Sequence, residues 1–166
     1  MSKGGLRSMH SQTTALKVAR YFIWKANTEK KEITNKKLQK LLYYAQAWNL
    51  VFDGKPLFND KIEAWIHGPA IAVVYNEYKK FGRDPINEKV VESDVKDLEK
   101  INVLNDVWKV YGKFDAGYLE ILTHNELPWQ KAREKLDAKT PSDAVISLDM
   151  MKDFYNSLYK KYSSHA

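Results

Sequence analysis

Between Leu41 and Phe52 only Gln46 and Asn49 are strongly polar. A helix on a protein surface carries one apolar stripe, whereas a helix that is apolar nearly all round is enclosed by others. The spacing predicts a central helix with Thr34 as its N-cap, running to about Asp53 and stopping at Gly54. Leu38, Leu41, Leu42, Ala45 and Trp48 mark its innermost face.

The rest of the chain reads as shorter amphipathic helices around this pillar. Residues 13–27 place Ala15, Ala19, Phe22, Ile23 and Ala26 on one face, with Thr13 or Thr14 as cap. Ile62 to His67 alternates: Ile62, Ala64 and Ile66 point one way, Glu63, Trp65 and His67 the other. That predicts a short extended segment. Gly68-Pro69 then reads as a break that opens a third helix, with Ile71, Val74, Tyr75 and Tyr78 on its apolar stripe and Gly82 at its end. A fourth helix is expected over 94–112, after a loop with a possible strand at Val90-Val91. A fifth is expected from Asp115, a sixth from Pro128 to about Leu136, and a last from Ser147 or Asp149. The predicted fold class is all-α: one compact domain of six to seven helices around a central buried helix, with at most a small β-hairpin. Residues 1–12 are expected to form a flexible tail and residues 13–162 the helical domain.

Composition narrows the picture. With 166 residues and 44% apolar side chains, the chain can bury roughly 70% of its unfolded surface in one core. The absence of cysteine excludes disulfides, thiolate metal sites and a cysteine nucleophile, and fits a reducing compartment. No run of about 18 apolar residues predicts a membrane span. A soluble cytoplasmic protein is the expectation. Of the net charge of +6, residues 1–40 carry +8, with ten Lys/Arg against Glu29 and Glu32. A basic end of this kind suits an acidic protein, nucleic acid or a membrane surface, or is simply solvated.

Candidate chemistry is sparse. The glycines are scattered and form no phosphate loop, and no Gly-x-Ser-x-Gly elbow is present. His10, His67, His124 and His165 lack zinc-protease spacing. Glu63 and His67 can share a face, but they make an incomplete metal site. His124 falls at the expected end of the fifth helix, where it complements the helix dipole. No cofactor and no catalytic residue is predicted. Lys36, Lys40 and Tyr43 follow one another at helical steps as a basic, aromatic stripe. Cations in those first turns oppose the helix dipole, which an acidic partner or Glu32 would relieve.

The blocks KLQKLLYYAQAW at 37–48, GKPLF at 54–58, IEAWIHGP at 62–69 and THNELPW at 123–129 occur in an order that resembles the Panacea domain family, the SocA-like antitoxins and phage-associated GepA-like proteins. The resemblance runs over roughly residues 13–160. It implies a mainly helical, non-enzymatic protein of a toxin–antitoxin module that neutralises a cognate toxin by direct binding. Many such proteins are found in prophages. One branch instead delivers its toxin to a bacterial protease, and a basic nucleic-acid-binding phage protein is a further alternative. The expected partner surface is Lys36, Lys40, Tyr43 and Tyr44, with Trp65 and His67 nearby, since exposed aromatic and cationic side chains are typical anchors. The sequence does not give the oligomeric state.

Overall fold

The computed structural model describes residues 12–164. The expected tail therefore lies, apart from Gln12, outside the described residues, as do His10 and His165.

Among the described residues, seven α-helices and one two-stranded sheet follow in the order α1 (Ala15–Thr28), α2 (Asn35–Asp53), β1 (Glu63–Trp65), β2 (Gly68–Ala70), α3 (Ala72–Tyr78), α4 (Ile101–Tyr111), α5 (Ala116–His124), α6 (Leu127–Ala132) and α7 (Leu148–Ser163). The mainly helical fold agrees with the hydrophobic pattern. α2 is the pillar: α1, α3, α4, α5, α7 and the hairpin all pack against it. Thr34 caps it by accepting from the Lys37 backbone N–H, and Gly54 ends it with φ 76°. That left-handed conformation is why glycine stands there. Leu38, Leu41, Leu42 and Ala45 are fully buried, while Trp48 is only half-buried and donates from its indole to the Tyr111 hydroxyl at 2.9 Å.

The other helices are anchored by the caps their sequences offer. Thr14 accepts from Lys17 N at the start of α1, Asp115 from Tyr118 N at α5 and Ser147 from Met150 N at α7. Each satisfies one of the amide groups that a helix start leaves without a partner.

Three boundaries differ from the sequence reading. Gly68-Pro69 does not open α3; it forms β2, paired antiparallel to β1 in the register Glu63↔Ala70, Ala64↔Pro69 and Trp65↔Gly68. Proline is tolerated because β2 is an edge strand, and α3 begins only at Ala72. The fourth helix starts at Ile101, not near 94. Residues 92–94 form a single 3-10 turn closed by Asp94 Oδ2 accepting from Val91 N, and Leu98 enters the core from the turns that follow. No strand forms at Val90-Val91; Val90 N donates to Asn27 Oδ1 at 2.9 Å instead. α6 is also shorter than expected and ends at Ala132.

β1 is held on its second side as well. Ala64 N donates to Ala144 O and Ile146 N to Ile62 O, both at 2.8 Å. The segment leading into α7 thereby ties the hairpin to the C-terminal helix. No helix among the described residues is long and apolar enough to cross a membrane.

Candidate functional site: a polar seam along the central helix

The polar residues of α2 do not form an exposed stripe. Most of them turn inward and bond to the backbone of neighbouring segments, and Lys36, which reaches the surface, is the exception. Gln46 Oε1 accepts from Leu57 N at 2.7 Å and its Nε2 donates to Phe58 O at 2.8 Å, pinning the Lys55–Phe58 turn. Asn49 Nδ2 donates to Lys55 O at 2.8 Å. Gln39 Oε1 accepts from Ile71 N at 2.8 Å, fixing the approach to α3, and Asn35 Nδ2 donates to Tyr75 O at 3.1 Å. Lys37 Nζ donates to Gly112 O at the α4–α5 turn. Lys40 Nζ donates to Pro69 O at 3.0 Å beneath the hairpin. A buried backbone carbonyl without a partner is costly, so loops that cross a core need such donors.

Lys40 shapes the hairpin as well as bonding to it. A Cβ at position 68 would lie 2.5 Å from Lys40 Cε and 3.0 Å from Thr123 Oγ1, and Gly68 has φ 107°. Glycine is required there both by conformation and by the lysine stem packed against its Cα. Burial pushes the Lys40 ammonium down to about 7; nearby Lys36 works in the same direction and Glu120 against it.

Further along α2, Tyr43 and Tyr44 enter a knot of buried hydroxyls. Tyr44 Oη donates to Glu126 Oε1 at 2.6 Å, and Tyr155 Oη donates to Tyr43 Oη at 2.9 Å. The Tyr44 ring stacks on Tyr111 with centroids 3.9 Å apart. Burial raises the Glu126 carboxyl to about 7, although the hydroxyls of Tyr44 and Tyr155 pull it back. Burial, with Glu126 close by, also holds the Tyr43, Tyr44 and Tyr155 hydroxyls protonated. Glu126 is the N-cap residue of α6, yet its side chain gives no cap bond because it turns into this knot. α6 starts at Leu127, one residue before the Pro128 that the sequence suggested.

The predicted partner surface is therefore divided. Lys40 is 2% exposed and Tyr43 and Tyr44 are 0% exposed, so these three cannot touch a partner docking on the folded surface. Helical spacing placed them on one line with Lys36, but the line runs under the hairpin and α5–α6. Lys36, Trp65 and His67 do reach the surface. Glu120 joins two of them: Lys36 Nζ lies 2.8 Å from Oε2 and His67 Nδ1 lies 2.7 Å from Oε1. Burial works to raise the Glu120 carboxyl, and contacts to Lys36 and His67 overcome it, leaving the group below its ordinary value. Glu120, rather than Glu32, answers the cation on the first turn of α2. Trp65 donates to Glu63 Oε1 at 2.8 Å and packs edge-on to Tyr75.

Glu63 and His67 thus engage different partners, and among the described residues no group of three metal-binding side chains converges. His124 ends α5 as its spacing suggested and stacks on Trp129 at 4.0 Å. Burial lowers its pKa. Trp129 donates to Trp65 O at 2.8 Å and Arg133 Nη1 to Ala64 O at 2.9 Å, so α6 clamps β1. Glu120, Glu126, Arg133 and Tyr155 were not singled out for these roles. Glu126 alone had a signal, its place inside the THNELPW block.

The blocks 37–48, 62–69 and 123–129 are thus one seam in space. The family model described as "Antitoxin SocA-like, Panacea domain" matches residues 38–130, over half of the chain, and takes in these three blocks but for Lys37. The chain belongs to that family. Antitoxin SocA of Caulobacter vibrioides (strain NA1000 / CB15N) is 41% identical over 63 residues. That match covers 38% of this chain and 34% of the relative, so about a third of the relative's length is represented. No solved structure matches the chain. In this Panacea domain, the blocks that carry the resemblance are internal braces.

Proposed function

We propose that this chain is an antitoxin of a toxin–antitoxin module, and that it neutralises a cognate toxin by binding it directly and without chemical transformation. Membership of an antitoxin family supports the class. One structural observation supports the mode of action: inside the protein Lys40 donates to Pro69 O, Tyr44 donates to Glu126, and Tyr43 accepts from Tyr155. Groups committed in this way hold a shape and are not free for a substrate. Recognition then falls to the surface that the braces support, where Lys36 and His67 meet on Glu120 and Trp65 stands beside Tyr75. Lys40, Tyr43 and Tyr44 serve binding only through that support. The reading places the protein in the cytoplasm with its toxin.

The test is co-expression with the product of the adjacent reading frame. The wild-type chain is expected to restore growth and to co-purify with that product. Trp65→Ala with His67→Ala is expected to abolish both while leaving the circular dichroism spectrum and melting temperature intact. Equal rescue by that variant removes the proposed surface. Delivery to a bacterial protease differs in its readout: the toxin's half-life, rather than its activity in the purified complex, would change.

A further inference from the structure

A recess of about 300 Å³ lies between residues 56–59, Thr13 ahead of α1, and Glu99 and Lys100 ahead of α4. Asn49, near the end of α2, belongs to its wall and is 0% exposed. Its Nδ2 donates to Lys55 O at 2.8 Å, which fixes the way the amide faces. The other end of that amide, Oδ1, is buried and has no hydrogen-bond partner among the described residues. Gln46, one turn earlier, uses both ends of its own amide on the same turn of chain. An acceptor left buried and unbonded costs about 1–3 kcal/mol, so Asn49 Oδ1 asks for a donor.

The rest of the wall has few donors to give. Pro56 has no amide N–H, and the N–H groups of Leu57 and Phe58 both go to Gln46 Oε1. Lys100 Nζ is held 3.5 Å from Asp53 Oδ1. Glu99 is exposed and forms no salt bridge among the described residues. An occupant must therefore bring N–H groups. A phosphate or a carboxylate only accepts, and would set acceptor against acceptor at both Asn49 and Glu99.

We propose that this recess binds a guanidinium group, with one N–H on Asn49 Oδ1 and another toward Glu99. A guanidinium carries five N–H donors in one plane, is weakly hydrated, and lies flat against apolar surface of the kind Pro56 and Leu57 offer. An ammonium holds its water more tightly and loses more on entering a recess. The volume is at the low end for ligand sites and suits a group the size of a side chain. The group can arrive on a small molecule or on an arginine of another protein; the chemistry that holds it is the same. Lys36 and Asn49 stand about 20 Å apart along α2, so the recess is separate from the surface proposed for the toxin and does not rest on the antitoxin reading.

The experiment follows the full chain, isotopically labelled, by NMR with four probes: butylguanidine, butylamine, a blocked Gly-Arg-Gly peptide, and the same peptide with citrulline, whose neutral urea replaces the guanidinium. The guanidinium probes are expected to shift the side-chain amide of Asn49 and the backbone amides of Leu57, Phe58 and Asn59. Butylamine and the citrulline peptide are expected to leave those signals in place. The Asn49 signal reports on Oδ1 without a substitution that would also release Lys55 O. Glu99→Gln, at an exposed position where the fold is kept, is expected to weaken guanidinium binding at least fivefold. Shifts with butylguanidine alone identify a free small molecule as the source; shifts with the arginine peptide identify an arginine of another protein. Either upholds the site. No shift with either guanidinium probe, equal shifts with butylamine or the citrulline peptide, or unchanged affinity in Glu99→Gln overturns the proposal. Toxin binding does not enter the readout, so failure here leaves the antitoxin reading where it stood.

Discussion

The Tyr44 hydroxyl donates to the Glu126 carboxyl at 2.6 Å across 82 positions of sequence, deep inside the protein. The bond fastens the middle of α2 to the start of α6, and the stacked Tyr111 ring fixes the tyrosine's orientation. Tyr44→Phe keeps the ring and removes the donor, leaving a buried carboxyl short of a partner. The expected loss is about 1–3 kcal/mol of unfolding free energy in urea titration. Glu126→Gln keeps an acceptor and is expected to cost less. A larger loss for Glu126→Gln than for Tyr44→Phe would show that the carboxyl's charge, not the bond, is what the site needs.

Lys40 and Glu126 give stability a pH dependence with two opposed limbs. Glu126 has its pKa raised from 4.5 to about 7 on folding. Between those values the folded chain holds more protons than the unfolded one, so stability falls as pH rises through the window. Lys40 is lowered from 10.5 to about 7. Between about 7 and 10.5 the unfolded chain holds more protons, so stability climbs with pH. The pair therefore predicts a minimum near neutrality, with an acid limb on the order of 3 kcal/mol deep and an alkaline limb on the order of 5 kcal/mol. Urea midpoints from pH 5 to pH 10 measure it. Glu126→Gln should flatten only the acid limb. Lys40→Met, which keeps the packed stem, should flatten only the alkaline one.

Gly68 and Lys40 should prove energetically coupled. Gly68→Ala puts a methyl group 2.5 Å from Lys40 Cε at a φ of 107°. Strain and overlap together are expected to cost about 3 kcal/mol. Combining it with Lys40→Ala removes the overlap but not the backbone strain. The double variant should therefore be more stable than the sum of the two single losses by about 1 kcal/mol or more. Additive losses would mean that the hairpin moves aside without involving the lysine.

The frame of the fold was legible because it rests on local signals. Thr34, Asp115 and Ser147 cap the helices their positions suggested, and Gly54 ends the pillar. What was not legible is where a polar residue on a buried helix finds its partner. Lys36 and Lys40 stand one turn apart, yet one reaches Glu120 at the surface and the other Pro69 under the hairpin. Helical period reports the direction of a side chain, not what covers it. Gly68-Pro69 misled for a related reason. Proline at a helix start and proline in an edge strand look alike until the lysine beneath them is known. Gln46 shows the consequence for energetics. Gln46→Leu is close in volume but strands Leu57 N and Phe58 O, and is expected to cost about 3 kcal/mol by denaturant titration. A solvated glutamine would tolerate the same change within about 0.5 kcal/mol.

The last prediction separates recognition from stability at Glu120. Its side chain is 19% exposed, between Lys36 at 38% and His67 at 76%. A pair so open to water contributes little to folding, about 1 kcal/mol or less. Exchanging the charges, Lys36→Glu with Glu120→Lys, restores an ion pair in the same place and is expected to change stability by under about 1 kcal/mol. It also reverses the field that a docking protein meets and sets a lysine against His67. If Lys36 and His67 belong to the toxin-binding surface, the exchange should weaken toxin binding at least tenfold in calorimetry with an unchanged melting temperature. Binding that survives the exchange would move the toxin elsewhere on the protein. Loss of both binding and folding would make the Lys36–Glu120 contact a structural clasp between α2 and α5.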